Sequence, residues 1–174
     1  MPPSCASPET EARFAPFILR AGIHFMPDLD PLLVLRLGEA QACAESGMNP
    51  NAVSGVGAKG LFQFMDPTFG DARRARKTQI GSASAFDPHA AAEAWGWYMG
   101  SLRAFWAAVP DLERHWFAVG SYNAGPGNIR SAFRLCGGNP RWSATAACLA
   151  RVTGAANARQ TTDYQRRIQQ WSQP

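Results

Sequence analysis

Two of the three aspartate-proline pairs in this chain, each followed by a long run of apolar residues three or four positions apart, constrain its fold more than any other feature. Asp30 precedes Pro31, and Asp87 precedes Pro88. An aspartate accepts hydrogen bonds from the free amides that begin a helix, and proline suits the first helical turn. We therefore predict that helices begin at both pairs and that the first of them ends at Glu45.

Helical spacing also covers most of the remaining chain. Apolar residues recur every three or four positions over 14–21, and Gly22 then predicts a stop. Asp111 is the expected cap of another helix. Further helices are predicted at residues 67–76, 129–135, 144–152 and 159–171. Since βαβ alternation and internal repeats are absent from the sequence, we predict a mainly α fold with about seven or eight helices and little or no sheet.

Composition indicates one packed domain with a modest positive charge. The 174 residues are 46% hydrophobic, and 17 basic against 13 acidic residues give a net charge of +4. This balance suits an acidic polymer, whether nucleic acid, an anionic membrane surface or bacterial cell wall. The densest basic cluster, residues 73–77, lacks interleaved aromatic residues, and we interpret it as a solvated helix end. We find no integral membrane segment and no secretory signal.

The four cysteines allow three pairings if all are oxidised. Cys136 and Cys148 flank a turn-rich stretch, so a bridge between two consecutive helices is plausible. Cys5 and Cys43 would then tie down the N-terminus. Buried free thiols are the alternative, and bridges would indicate an oxidising compartment.

A long loop follows Glu45. Residues 46–65 contain four glycines and one proline, and loops of this length inside compact domains are usually functional. A carboxylate at the C-terminal end of a helix is disfavoured as an anion, and enclosure by Ala42, Phe62 and Met65 would disfavour it further. We therefore expect Glu45 to be a general acid; an exposed surface glutamate is the alternative.

A resemblance to a known family rests on three separated motifs: ESGMNPNAVS at residues 45–54, GAKGLFQFM at 57–65 and SYNAG at 121–125. In this order they closely resemble the motifs of the soluble lytic transglycosylase family, within the goose-lysozyme-like superfamily. The similarity spans roughly residues 28–168. It implies a lysozyme-like catalytic domain at residues 28–174, with residues 1–27 as an N-terminal helix and lead-in packed on it.

The resemblance also implies a reaction. Members cleave the β-1,4 bond between N-acetylmuramic acid and N-acetylglucosamine in peptidoglycan glycan strands, without a cofactor. The family's catalytic glutamate maps onto Glu45, which first protonates the leaving oxygen. It then accepts a proton from the muramoyl hydroxymethyl group, which closes into a 1,6-anhydro ring. Hydrolytic glycosidases usually need a second carboxylate, and the sequence has none between Glu45 and Asp66; a substrate acetamido oxygen can replace it.

Substrate contacts follow from the same resemblance, which assigns them to Ser54, Gln63, Met65, Tyr122, Asn123 and Tyr164. Ser54 is expected to orient Glu45, and the alternatives are a turn role for Ser54 and core roles for Met65 and Tyr122. Gln160 stands where the family commonly has glutamate, which puts the family's pH optimum and subsite preference in doubt here.

Other candidate residues carry weaker predictions. His24, His89 and His115 lack metal-ligand spacing, so we expect packed or solvated histidines and no metal site. Trp142, in a polar loop, is our candidate for a cleft wall, because sugars stack on aromatic rings.

Several functional readings remain open at this point. A lytic transglycosylase leads, ahead of a hydrolytic muramidase of the same fold and a non-catalytic wall-binding or structural subunit. We expect a monomer that binds peptidoglycan and no nucleic acid, and that acts in the periplasm. A phage endolysin or virion-associated lysin is favoured over a bacterial remodelling enzyme. Delivery would use holin release, the virion, or a leader outside this sequence.

Overall fold

A computed structural model describes residues 5–110 and 112–173. It is 70% helical, and the described residues form no strand, so the predicted mainly α class is confirmed. Within this part of the chain the helices are α1 (Pro8–Phe25), α2 (Pro31–Ser46), α3 (Asp66–Ala75), α4 (Lys77–Ile80), α5 (Pro88–Phe105), α6 (Glu113–Ala124), α7 (Pro126–Leu135), α8 (Trp142–Thr153) and α9 (Ala155–Trp171).

The chain divides into two compact units, and each is described by itself. The first unit contains the residues up to Tyr98 together with those from Ile168 onward, and the second unit is Met99–Arg167. Helices α1 to α4 therefore belong to the first unit, and α6 to α8 belong to the second. The boundary expected between residues 27 and 28 stays a prediction.

Both aspartate-proline signals begin helices as predicted. Asp30 Oδ1 accepts hydrogen bonds from the amides of Leu32 and Leu33, each at 3.0 Å. Asp87 Oδ1 accepts from the amide of Ala90 at 2.8 Å. The expected cap at Asp111 lies outside the described residues.

Gly22 does not end α1, which corrects the predicted stop. The helix continues to Phe25, and Gly22 is buried within it. A Cβ atom on Gly22 would collide with Val34 Cγ1 of α2 and would lie 3.4 Å from the Trp95 ring of α5. The glycine is there because three helices approach closely at this point, a reason that periodicity along one helix cannot reveal.

Trp95 lies at the centre of the first unit's core. Its ring is fully buried and stacks on Phe62, with centroids 5.1 Å apart and planes 12° from parallel. Its Nε1–H donates to Gln41 Oε1 at 2.9 Å. The indole therefore joins α5, α2 and the loop that follows α2, and its single donor is satisfied.

The two disulfide bonds are Cys5–Cys43 and Cys136–Cys148. The first ties the segment before α1 to α2, and the second joins α7 to α8. Both are pairings that the sequence made plausible. The bonded cysteines are 38 and 12 positions apart in the sequence. In the chain-entropy description the longer loop gives the larger stabilisation of the fold, about 4 kcal/mol against about 3 kcal/mol.

In the second unit, α7 packs against α6 and α8. Phe117 of α6 is fully buried, and its ring contacts those of Trp106 and Trp142 at centroid distances of 4.7 and 5.7 Å. Trp142 is 6% exposed and packs over Gly120, where a Cβ would overlap its ring. The interpretation of Trp142 as a cleft wall is therefore wrong, because the glycine leaves a space that the indole fills.

The basic cluster at residues 73–77 agrees only in part with a solvated helix end. Arg73, Arg74 and Lys77 are exposed, and Arg74 pairs with Asp71. Arg76 instead points inward, half-buried, and its Nε donates to Glu93 Oε1 at 2.8 Å. A charge pattern along the chain cannot show this, because the partner lies on α5.

Candidate functional site

Glu45 occupies the last turn of α2, one residue before the helix ends. Its side chain is half-buried. The last turn of α2 contains no basic side chain, and Gly47 ends the helix in the left-handed conformation at φ 62°. The carboxyl group therefore lies where the backbone carbonyls concentrate negative charge, without a lysine or arginine in that turn to offset it.

Ser46 fastens the following loop to the end of α2. Its hydroxyl lies 2.8 Å from the carbonyl oxygen of Leu61 and donates to it, with the carbonyl of Ala42 at 3.2 Å as a second acceptor. The same oxygen accepts from the amide of Asn49 at 3.1 Å. These bonds bring residues 61–65 back to the helix end that carries Glu45.

The segment from Leu61 to Met65 places three side chains in the core and two nearer the surface. Leu61, Phe62 and Phe64 are buried, whereas Gln63 is half-buried and Met65 is 43% exposed. Phe62 stacks on the core indole, as described above, and this anchors the segment. The anchoring leaves the side chains at positions 63 and 65 on the accessible side, where a ligand can reach them.

The Gln63 side chain hydrogen-bonds to two other residues of the loop. Its Nε2 donates to the carbonyls of Ala52 at 3.2 Å and of Gly60 at 3.0 Å. Its backbone has φ 49°, an uncommon conformation for a residue other than glycine. The amide oxygen is the part of this side chain that these two bonds leave for another partner.

Ser54 shapes a turn within the loop. Its Oγ accepts from the amide of Ala58 at 3.0 Å, and its own amide donates to the carbonyl of Ala58 at 2.9 Å. The turn role considered for Ser54 is therefore present. Orientation of Glu45 by the same hydroxyl stays a prediction, since a hydroxyl that accepts one bond can also donate another.

Gly60 allows the loop to lie against the segment before α5. It has φ 76°, and a Cβ there would overlap the backbone carbonyl of Ala85. Its neighbour Lys59 exchanges two backbone hydrogen bonds with Phe64, both 2.9 Å. The loop is thus held by backbone contacts from both of its ends.

Asp66, the first carboxylate after Glu45 along the chain, is engaged by a lysine. Lys59 Nζ lies 2.7 Å from both of its oxygens. The side chain of Asp66 is 73% exposed. Asp66 is therefore placed as an ion-pair partner at the surface.

The residues predicted from the third motif belong to the second unit. Tyr122 and Asn123 lie in the last turn of α6, and both are half-buried. Asn123 Oδ1 accepts a hydrogen bond from Thr161 Oγ1 of α9 at 2.8 Å, which fixes the orientation of its amide. Tyr164, also on α9, is 3% exposed.

A polar cavity opens beside Asn123. Its volume is about 280 Å³. It is lined by Asn123, Ala124, Asn128, Val152, Thr153, Asn157, Gln160 and Thr161. No lining side chain is charged, and four of them are carboxamides, which offer donors and acceptors without a net charge. Such a surface suits the hydroxyl and acetamido groups of a saccharide.

The sequence analysis did not identify Ser46, which fastens the loop to α2, or Asn128 and Asn157, which line the polar cavity. Ser46 follows Glu45 directly within the first motif, so its place in the motif was a usable signal. Asn128 and Asn157 come from the starts of α7 and α9, and nothing in the spacing of either residue points to a shared cavity.

Glu39, another acidic residue of α2, has a perturbed pKa. Burial, reinforced by the negative charge of Glu11, raises the pKa of Glu39 from 4.5 to about 7. Perturbed acids are frequent at functional sites but also occur in structural positions. Glu39 lies outside all three motifs, and it makes a natural comparison for Glu45 in any experiment.

The fold and the position of Glu45 define a helical protein with an acid at a helix end beside a fastened loop. Residues 34–144 match the family described as the Transglycosylase SLT domain, which is more than half of the chain. The chain belongs to this family.

Several curated relatives of this chain share one protein name. The membrane-bound lytic murein transglycosylase F of Shewanella halifaxensis is 35% identical over 97 residues, covering 55% of this chain and 19% of the relative. Proteins of the same name from Shewanella loihica and Alcanivorax borkumensis are 32% and 36% identical, over 65% and 60% of this chain and 21% and 22% of their own lengths. The chain thus spans about a fifth of the length of the curated relatives it matches.

No helix in residues 5–110 and 112–173 is long and apolar enough to cross a membrane. The same residues contain no group of three or more histidine, cysteine, aspartate or glutamate side chains arranged to hold a metal ion.

Proposed function

We propose that this chain cleaves the β-1,4 bond between N-acetylmuramic acid and N-acetylglucosamine in peptidoglycan as a lytic transglycosylase, with Glu45 as the acid and then the base. The observation that carries the proposal is the bond from Ser46 to the Leu61 carbonyl, which fastens the loop to the helix end bearing Glu45. Family membership and the name shared by the curated relatives support it.

The proposed reaction uses one carboxyl group twice. Protonated Glu45 gives its proton to the glycosidic oxygen as the bond from that oxygen to the muramoyl C1 breaks. The resulting carboxylate takes the proton of the C6 hydroxyl as its oxygen bonds to C1, which forms the 1,6-anhydro ring and restores the acid. A substrate acetamido oxygen stabilises C1 in between, so neither water nor a second protein carboxylate is consumed. The proposal gives Asp66 no part in the reaction, which agrees with its ion pair with Lys59.

Substrate contacts are proposed for residues of each unit. In the first unit Gln63 and Met65 contact the sugar beside Glu45, and Ser54 orients the acid. In the second unit Asn123 and Tyr122 contact polar groups of the glycan, and the neutral cavity beside Asn123 takes hydroxyl and acetamido groups. Tyr164 of α9 is proposed as a further substrate contact.

The test compares three forms of the protein on purified peptidoglycan: wild type, Glu45→Gln and Glu39→Gln. We expect Glu45→Gln to lose about 10²- to 10⁴-fold in rate, the usual contribution of a positioned acid-base residue. Glu39→Gln keeps activity within a few-fold, because the proposal gives this second acid of α2 no part in the reaction. Equal loss in both variants would contradict the assignment to Glu45.

Mass spectrometry of the released fragments separates the two candidate reactions. A transglycosylase leaves 1,6-anhydro ends, whereas a hydrolytic muramidase leaves reducing ends that are heavier by one water. Reducing ends alone would overturn the proposed chemistry. Binding of peptidoglycan without release by the wild type would instead indicate a wall-binding subunit.

We further propose that the protein works outside the cytoplasm, in the periplasm, as a lysin released or delivered by a phage. Its two disulfide bonds support an oxidising working compartment. Genes for a holin or for virion proteins beside its own gene would support the phage role. A neighbourhood of cell-wall remodelling genes would contradict it.

A further inference from the structure

A second cavity lies in the first unit, and it shares no residue with the candidate site around Glu45. Its volume is about 430 Å³. Its lining residues are Arg20, Ile23, His24, Arg76, Gln79 and Glu93. Three of these come from one face of α1, and Arg76 and Gln79 lie at and after the end of α3. The cavity is therefore a cleft between helices with several nitrogen donors.

Arg76 is fixed in the cleft on three sides. Its Nε donates to Glu93 Oε1 at 2.8 Å, and Glu93 is 4% exposed. Its guanidinium carbon lies 4.8 Å from the centre of the Phe25 ring, and its Nη2 lies 3.4 Å from His24 Nε2. A guanidinium held in this way needs little further ordering to bind a ligand.

The charge in the cleft is positive after internal pairing. Glu93 neutralises Arg76, which leaves Arg20 as a further positive charge. Among the described residues, the guanidinium of Arg20 has no hydrogen-bond or ion-pair partner, although it lines the cleft. Ile23, on the same helix face, is 41% exposed and adds an apolar surface at the opening.

We propose that this cleft binds a carboxylate carried on a small apolar residue. A guanidinium fork can match a carboxylate with two parallel hydrogen bonds. The cleft already holds one guanidinium–carboxylate contact, from Arg76 Nε to Glu93 Oε1. Ile23 provides a surface for the alkyl group beside that carboxylate. This inference rests on the proposed function for the source of the ligand, which is the terminal D-alanine of a peptidoglycan peptide.

The cleft would then hold the peptide part of the wall by residues separate from those that cleave the glycan. Peptide-bearing strands would bind more tightly than bare glycan, and bond cleavage at Glu45 would not require the contact.

The probe is N-acetyl-D-alanyl-D-alanine, with its C-terminal amide as the uncharged control, titrated into the intact protein at pH 7 and followed by NMR. We expect saturable shifts of the Ile23 methyl, His24 ring and Gln79 amide signals with the acid and none with the amide. Arg20→Gln is expected to weaken binding about tenfold, the effect of one lost charge-assisted hydrogen bond. Arg13→Gln, which removes the same charge from an exposed position of α1, should leave binding unchanged.

Three outcomes would overturn the inference: equal response to acid and amide, equal weakening by Arg13→Gln and Arg20→Gln, or tighter binding of inorganic phosphate than of the dipeptide. The titration needs no turnover. If it fails while Glu45→Gln still abolishes the release of anhydro fragments, the peptide cleft is wrong and the proposed function stands.

Discussion

His115 shows how one buried side chain ties stability to pH. It is wholly buried in α6, and neither ring nitrogen has a hydrogen-bond partner among the described residues. Burial, with a smaller contribution from the positive charge of Arg103, lowers the pKa of His115 to about 3. The folded protein therefore keeps this imidazole neutral over a pH range in which the unfolded chain protonates it.

We predict that His115 makes the fold sensitive to acid. Because its pKa is lower in the folded state, its stabilising effect is complete above pH 6.5 and declines as the pH falls toward 3. Between pH 7.5 and 4.5 the linked loss is about 2 to 3 kcal/mol in the free energy of unfolding. His115→Leu should remove this part of the pH dependence, measured by urea unfolding at both pH values. His24→Leu, at an exposed position, is the control, and an unchanged dependence in His115→Leu would contradict the prediction.

Glu39 acts in the opposite direction. Its pKa is raised to about 7 by burial and by Glu11, so the folded state holds a proton that the unfolded chain releases above about pH 4.5. Its stabilising effect is complete below pH 4.5 and is lost as the pH rises through 7. Glu39→Gln should therefore increase the melting temperature at pH 8 more than at pH 5. Glu9→Gln, at an exposed position of α1, should leave the difference unchanged; equal gains for Glu39→Gln at both pH values would refute this origin.

Individual residues could be predicted from the sequence when the signal was local. Asp30 and Asp87 cap helices through amides two or three positions away, so both were predicted correctly. Trp142 and Arg76 were not, because their positions depend on Gly120 and Glu93, which lie far away along the chain. The helix end predicted at Gly22 was wrong for the same reason, because the role of this glycine is set by neighbouring helices.

The loop after α2 is fastened to the helix end that carries the candidate acid. Its length and glycine content were visible in the sequence, and so was its place after Glu45. Its internal bonds were not, since they join residues across the loop, such as Ser46 to Leu61 at 2.8 Å and the Gln63 side chain to Ala52 at 3.2 Å.

We predict that Ser46→Ala loosens this loop and slows catalysis. Removing the hydroxyl takes the donor from the Leu61 carbonyl and leaves the Asn49 amide with only its 3.3 Å bond to the Ser46 carbonyl, a loss of about 1 to 3 kcal/mol. Hydrogen exchange at the amide of Asn49 should accelerate, and the rate on peptidoglycan should fall several-fold. Ser131→Ala is the matched control, because its hydroxyl bonds a carbonyl at 3.0 Å on an exposed helix face. Unchanged exchange and unchanged rate in Ser46→Ala would refute the fastening role.

The presence of the longer helices was easier to predict from the sequence than the residues at which they begin. Helices α7, α8 and α9 begin at Pro126, Trp142 and Ala155, each before the predicted start. In α7 and α9 the first turn is mostly exposed, and apolar spacing does not detect such a turn. The single turn α4 was missed, since four residues are too few to show a period.

The whole molecule has a net charge of +4, and bacterial cell wall carries acidic groups. If the protein acts on peptidoglycan as proposed, its binding should weaken as salt screens these charges, with the screening length falling from about 10 Å at 0.1 M to about 3 Å at 1 M. We expect retention on purified peptidoglycan to fall several-fold over this range. The catalytically impaired Glu45→Gln form suits the measurement, because it keeps the polymer intact. Salt-independent retention would exclude a charge contribution to binding.

The burial pattern of residues 61–65 restricts which substitutions this protein can accept over evolutionary time. Leu61, Phe62 and Phe64 are all buried, so a polar replacement of any of them would disrupt the packing that anchors the loop. Met65, which is 43% exposed, can be replaced without this loss, whereas Gln63 also holds the loop through its bonds to the Ala52 and Gly60 carbonyls. Position 65 is therefore where natural sequence variation can accumulate in this segment without loss of the packing beneath it.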